Sequence, residues 1–188
     1  AALESYIGLV EAAVGLLPAG GGLKEIALRC ARQNPADPFA VLKNYFETVA
    51  MAKVSTSALE AKEMGLLRPG DTVVFNPHEL LWVAQREAAA LADSGYRPPL
   101  PARQVVVAGD VGTASLKMML VNMLEGRFVS AHDVEIASRI ADTLCGGAIE
   151  RGAQVDEAWL LALERRHFAA LAQMPRTQER MQYFLMNN

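Results

Sequence analysis

The sequence is poor in the residues that build metal sites and disulfide frameworks. It has 2 cysteines, Cys30 and Cys145, and 3 histidines in 188 residues. The cysteines lie far apart and within helical patterns, so we expect two buried, reduced thiols of a cytoplasmic protein. A zinc site would need more ligands at closer spacing than His78, His132 and His167 supply. No metal site is therefore predicted.

Long apolar runs and blocks of basic residues are also missing. No uncharged run approaches the roughly 20 residues of a membrane span, and the pattern of a signal peptide is not seen. The formal charge is −3 and the 18 lysines and arginines are scattered, which argues against nucleic acid as a partner. The 52% of hydrophobic residues suffice to fill the core of one sizeable domain or two small ones.

Helical patterns with recognisable start and stop signals cover most of the chain. Ser, Asp or Asn residues precede apolar stripes at helical spacing, and glycines follow several of them. Three short β-rich segments interrupt these patterns. The predicted helices run over about 22–32, from Asp37, from Ser57 to Gly65, from Asn76 to about Asp93, over about 112–125, from Ser130 to Gly146, from Asp156 to Pro175, and beyond Pro175; the predicted strands are Ser5–Val10, Asp71–Phe75 and Val105–Val107.

The segment GYRPPLP, from Gly95 to Pro101, divides the chain. Its prolines hold the backbone extended and forbid a helix. We therefore predict two domains, residues 1–97 and 98–188. The chain also enters the strand-like run at Ser5–Val10 almost at once, without the polar approach with which domains normally begin. This predicts that an N-terminal part of a larger domain is missing.

The stretch from Tyr6 to Glu25 carries the strongest candidate site. An apolar run contains one carboxylate, Glu11, and leads through Pro18 to three consecutive glycines at 20–22. Burial raises the pKa of a carboxyl group, as a general acid near neutral pH requires, and glycines before a helix let a ligand approach free N–H groups. The structural alternative is a solvated Glu11 at a strand end, followed by an ordinary strand-to-helix turn.

Three weaker patterns have simpler structural explanations. The turn Gly109–Gly112 after Val105–Val107 matches half of a dinucleotide-binding turn. However, Asp110 occupies the position at which the backbone would have to approach the phosphate closely, and no second parallel strand follows. A strand-to-helix turn explains it better. His132 beside Asp133 falls in the first turn of a helix, where Asp is expected. The arginines at 165 and 166 could meet a CoA phosphate, but an exposed helix face explains them better.

Two blocks of the first half resemble a known superfamily. Glu11, Gly15, Pro18 and the glycines at 20–22 are similar to the second catalytic segment of the enoyl-CoA hydratase/isomerase (crotonase) superfamily. The block from Ser57 to Leu67, followed by Val73 and Val74, resembles the helix and strand that come next in that fold. The second half, with LKMMLVNMLEGRFVSAHD, LCGG and VDEAWLLALERRHF, resembles the C-terminal region of bacterial bifunctional 3-hydroxyacyl-CoA dehydrogenase/enoyl-CoA hydratase proteins.

The resemblance implies roles for particular residues. Glu11 aligns with the glutamate that exchanges a proton with the substrate α-carbon, while Val10 and Leu23 depart from the common pattern. The other catalytic glutamate and the oxyanion hole would lie upstream, so the fragment alone is expected to be inactive. It would hold no cofactor, whereas the dehydrogenase part of the parent would use NAD. The implied acyl-CoA pocket consists of Gly15, Pro18, Ala19, Gly20 and Gly21.

These observations together predict a mainly α chain with a few short strands. It would be the C-terminal part of a crotonase-like α/β fold with a helical extension. The implied function is hydration of 2-enoyl-CoA to 3-hydroxyacyl-CoA in fatty acid β-oxidation, with an acyl-CoA thioester as partner. Apolar surface along Tyr6 to Leu17 predicts self-association or packing against the missing part. The alternative is a non-catalytic helical module for oligomerisation or docking of a larger enzyme.

Overall fold

The computed structural model describes residues 1–187, which are mainly helical. Two 3₁₀ helices, Glu11–Val14 and Pro77–Glu79, supplement the α-helices. Two strands of two residues each pair antiparallel, with Val105 opposite Val155. No helix among these residues is both long and apolar enough to cross a membrane. The elements are α1 (Gly22–Gln33), α2 (Pro38–Ala50), α3 (Ala58–Glu63), α4 (Leu80–Asp93), β1 (Val105–Val106), α5 (Gly109–Glu125), α6 (Ala131–Cys145), β2 (Gln154–Val155), α7 (Glu157–Ala172) and α8 (Pro175–Asn187).

The chain folds into two compact units that are discontinuous in sequence. The first comprises residues 1–8 and 54–100, and the second comprises residues 9–53 and those from Pro101 onward. The chain passes from one unit to the other at residues 8–9, 53–54 and 100–101, the last of these within the proline-rich segment. The division into sequence domains at residue 97 stays a prediction.

The first unit has a small interior. Single bridges join Ala2 to Val74 and Gly8 to Val54, and α3 buries Ala58 and Ala61. Helix α4 buries none of its 14 residues, although an isolated helix of this length is marginal in water.

The second unit contains the main core, built by α1, α2, α5 and α6. In α2, Leu42, Phe46 and Val49 follow at helical spacing and are all buried. In α6, Ile136 and Ile140 face the same core. A smaller cluster of buried residues surrounds β1 and consists of Ala27, Leu28, Val105, Val107, Leu160 and Leu163.

Local signals place the helix ends correctly. Ser130 and Asp133 form a capping box at the start of α6, and Gly146 ends that helix with a φ of 91°. Ser57 accepts a hydrogen bond from the Glu60 N–H at the start of α3. These predicted starts and stops are confirmed because a cap satisfies backbone groups within its own helical turn.

The predicted crotonase-like α/β fold is wrong. Among residues 1–187 the only sheet is the pair β1–β2. The predicted strands Ser5–Val10 and Asp71–Phe75 contribute single bridges, and Glu11 begins a 3₁₀ helix. A short apolar run is equally compatible with a strand and with a buried helical turn. Here residues 11–14 form a 3₁₀ turn that buries Ala12 and ends at Gly15.

The buried ring of Phe46 in α2 provides a test of the core. Phe46 is 2% exposed, whereas Phe128 is 79% exposed. We expect Phe46→Ala to lower the free energy of unfolding by about 3–5 kcal/mol, because it removes buried apolar area and leaves a cavity. Phe128→Ala should change it by less than about 1 kcal/mol. Urea unfolding followed by circular dichroism measures both, and equal losses would contradict this core.

Candidate functional site

Glu11, the predicted catalytic residue, lies at the first position of a 3₁₀ helix. The helix ends at Gly15, and the Leu16 N–H donates to the Glu11 carbonyl oxygen. The carboxylate oxygen Oε2 is buried and has no hydrogen-bond partner among residues 1–187. Burial of an unpaired carboxylate oxygen is costly, so Glu11 is the most unusual side chain of the predicted site.

Gly15 and Pro18 are covered by the protein itself. Gly15 has a φ of 90°, and a Cβ atom there would lie 3.1 Å from the Thr177 Cα atom in α8. The Thr177 hydroxyl donates a 3.0 Å hydrogen bond to the Gly15 carbonyl oxygen. The glycine is therefore needed for close packing against α8. Pro18 is buried as well, so neither residue offers an open surface to a ligand.

The glycine turn before α1 is occupied by a protein carboxylate. The Gly21 N–H donates to Oε2 of Glu164 at 2.9 Å, and the Lys24 N–H donates to Oε1 at 2.7 Å. Glu164 belongs to α7 and is fully buried. It neutralises the free N–H groups that would otherwise attract an anion at this helix start. Gly20 is exposed, and nothing lies within 4 Å of a Cβ atom built there.

Burial raises the pKa of Glu164, and the N–H groups of Lys24 and Gly21 oppose that rise. Sequence reasoning missed this residue. Its spacing could have indicated burial, because Glu164 follows Leu160 by four residues and so lies on the buried face of α7.

The turn Gly109–Gly112 is a strand-to-helix turn, as predicted. A Cβ atom at Gly112 would lie 2.6 Å from that of Ala108. At Gly109 it would meet backbone atoms of residues 149–151, and the Asp110 N–H already donates to the Ile149 carbonyl oxygen. The space that a pyrophosphate would need is filled by the chain itself, so these residues do not fit NAD.

A second polar cluster joins the starts of α6 and α8. His132 Nε2 lies 3.0 Å from the Thr177 hydroxyl oxygen. The Arg180 guanidinium donates to the Asp133 carboxylate at 2.8 Å and to the Ala12 carbonyl oxygen at 3.3 Å. The predicted place of His132 in the first turn of a helix is confirmed. Its contact with Thr177, 45 positions away, could not be seen in the sequence.

The predicted buried thiols are present. Cys30 and Cys145 are free and fully buried, and burial raises the pKa of each to about 12. Thiols with so high a pKa are poor nucleophiles at neutral pH. Among residues 1–187, no three His, Cys, Asp or Glu side chains are grouped to hold a metal ion.

Comparison with known proteins bears on the predicted function. No family model matches the chain. The chain is 42% identical over 186 residues to a protein of Bacillus subtilis (strain 168) described as a probable 3-hydroxyacyl-CoA dehydrogenase. The match covers 99% of this chain but 23% of that relative, so the chain spans about a quarter of the relative's length.

The comparison supports the dehydrogenase part of the predicted resemblance and contradicts the hydratase part. Similarity to a protein described as a probable 3-hydroxyacyl-CoA dehydrogenase is confirmed. The predicted enoyl-CoA hydratase function is wrong, because the relative is described as a dehydrogenase and the chain lacks the crotonase-like fold. The assignment of Glu11 as a catalytic residue is a separate prediction that the comparison does not test, and it stays a prediction. The acyl-CoA pocket formed by Gly15, Pro18, Ala19, Gly20 and Gly21 stays a prediction.

The buried carboxylate of Glu164 gives a second test. Glu164→Ala leaves two partly buried N–H groups, those of Gly21 and Lys24, without their partner, which should cost about 2–4 kcal/mol of unfolding free energy. The exposed residue Glu150 provides the control, and Glu150→Ala should have little effect. Similar effects of the two substitutions in chemical denaturation would contradict the capping role.

The pH dependence has a definite sign. Because its folded pKa is raised, Glu164 stabilises the fold fully below the ordinary carboxyl pKa and loses that contribution as pH rises through the folded value. The free energy of unfolding of the wild type, relative to that of Glu164→Gln, should therefore decrease as pH rises from the ordinary carboxyl pKa through the folded pKa of Glu164. A difference that grows with pH would contradict the assigned direction.

Proposed function

We propose that this chain is a helical portion of a 3-hydroxyacyl-CoA dehydrogenase. The whole enzyme would oxidise the 3-hydroxyl group of an acyl-CoA thioester to a ketone and transfer the hydride to NAD. One observation carries the proposal, the 42% identity over 186 residues to the Bacillus subtilis relative. The proposal concerns the whole enzyme, of which residues 1–188 would supply one part.

The role proposed for this chain is structural support and substrate contact. Its glycine turn at 109–112 is filled by its own backbone, so we assign the nicotinamide site to another part of the enzyme. Of the predicted acyl-CoA pocket, Gly15 and Pro18 are covered, while Gly20 is exposed and open. We therefore place the contact with the thioester substrate at Ala19 and Gly20, beside the start of α1.

Self-association, or packing of the chain against another part of the enzyme, is also proposed. Helix α4 supports it, because Leu81 and Trp82 are 70% and 59% exposed and none of its residues is buried. Large apolar side chains grouped on the exposed surface of one helix commonly mark an interaction surface.

The test is oxidation of 3-hydroxybutyryl-CoA by the full-length protein, followed by the appearance of NADH. We expect NADH only when both the thioester and NAD are present. Absence of NADH formation would contradict the dehydrogenase proposal.

A matched pair of glycines tests the substrate contact. Gly20 and Gly70 both have open surroundings and neither has a positive φ, so valine fits at each. We expect Gly20→Val to raise KM for the thioester about tenfold, with kcat nearly unchanged, because it removes uniform binding. Gly70→Val should leave KM unchanged. Equal KM values for the two variants would refute the contact at Gly20, even with a working dehydrogenase.

A further inference from the structure

A pocket lies between the first turns of α6 and α8. Its volume is about 660 Å³. Ser130 is the N-cap residue of α6, and α8 begins at Pro175, so the N-terminal ends of two helices border it. The lining residues are Ser130, His132, Pro175, Arg176, Glu179 and Arg180.

The hydrogen bonds of Thr177 determine the tautomer of His132. The Thr177 hydroxyl donates its hydrogen to the Gly15 carbonyl oxygen. Its oxygen must therefore accept from His132, which makes Nε2 the protonated nitrogen of the imidazole. In the neutral ring, Nδ1 then carries a lone pair.

The Nδ1 atom has no partner among residues 1–187, although His132 is 93% buried, being 7% exposed. No contact to Nδ1 is found, and the ring lines the pocket. The Nδ1 atom is therefore accessible from the pocket, where it can accept a hydrogen bond from a ligand or, once protonated, donate one.

The charged groups around His132 come from three elements. From α8, Arg176, Glu179 and Arg180 line the pocket. From α6, Asp133 pairs with Arg180, and Glu135 pairs with Arg139. The 3₁₀ helix that packs against both carries Glu11.

The two arginines of the pocket differ in what they already bind. Arg180 is held by Asp133 and the Ala12 carbonyl oxygen. Arg176 is exposed and makes no ion pair or hydrogen bond within the described chain. Its guanidinium is thus available to a ligand, and guanidinium groups bind phosphate in a planar, two-bond geometry.

We propose that this pocket binds a phosphate group, held by the Arg176 guanidinium and by His132 Nδ1. The proposal does not rest on the dehydrogenase function. Phosphate oxygens would accept hydrogen bonds from Arg176, and Nδ1 would take up a proton and donate to a further oxygen. The negative charge of Glu179 disfavours the binding of an anion, whereas the negative charge of Asp133 is neutralised by its ion pair with Arg180.

The electrostatics of the pocket agree with proton uptake on binding. Burial lowers the pKa of His132, and the positive charges of Arg180 and Arg176 lower it further against Asp133 and Glu135. The imidazole is therefore neutral near pH 7. A phosphate dianion reverses the field of the arginines and favours the imidazolium.

Two sources of the phosphate group share this chemistry, free phosphate and the 3′-phosphate of CoA. The site recognises the phosphate itself, so either source fits the proposed contacts. Comparison of CoA with 3′-dephospho-CoA distinguishes them. Displacement of phosphate by CoA alone assigns the CoA phosphate, and displacement by neither compound assigns free phosphate.

The experiment is titration calorimetry of the full-length protein with inorganic phosphate at constant ionic strength. Use of two buffers with different ionisation enthalpies measures the protons taken up. We expect binding with proton uptake, and Arg176→Ala should weaken it about tenfold or more, the scale of one charge-assisted hydrogen bond. Arg165→Ala, at an exposed arginine of α7, should bind like the wild type.

The variant His132→Gln tests whether His132 takes up the proton when phosphate binds. The amide nitrogen of glutamine can still donate to Thr177, but the residue does not titrate, so proton uptake should disappear and binding should weaken. Three outcomes would overturn the proposal: no binding of phosphate, equal weakening in Arg176→Ala and Arg165→Ala, or unchanged proton uptake in His132→Gln. The arginine pair remains decisive if the histidine variant unfolds.

Discussion

The buried carboxylate of Glu164 fixes the start of α1, and much of the second unit depends on that position. Glu164 accepts the Gly21 and Lys24 N–H groups across 143 and 140 positions of sequence. Helix α1 packs against α2, α6 and α7, so a shift of its first turn would disturb each of those contacts. A carboxylate removed from water is costly unless its hydrogen bonds are satisfied, and here both oxygens have a backbone donor.

Hydrogen bonds around Thr177 fix the N-terminal part of the segment from Glu11 to Gly22, whose C-terminal part is fixed by Glu164. Thr177 connects the Gly15 carbonyl oxygen to His132, and Arg180 connects Ala12 to Asp133. The segment from Glu11 to Gly22 is therefore attached to α7 at its end and to α8 at its beginning. These attachments explain Gly15 and its apolar neighbours as packing features, and they leave the exposed Gly20 and the buried oxygen of Glu11 as features that packing does not explain.

Sequence reasoning succeeded where the determining interaction is local. The capping residues Ser57, Ser130 and Asp156 act within one turn of their own helices, so their positions could be read from short patterns. It failed where the interaction spans the chain. Neither Glu164 nor the His132–Thr177 contact has a local signature. The apolar run before Gly15 fits the prediction of a strand as well as a helical turn, because its length and composition do not distinguish the two.

The exposure of α4 has a consequence for the kinetics of local opening. The helix buries none of its 14 residues, so little apolar surface opposes its unwinding within residues 1–187. Amides in such a helix exchange with deuterium through low-energy local openings, while amides in the core of α6 exchange only through much larger ones. Slow exchange in α4 would therefore report that another surface covers it in the full-length protein.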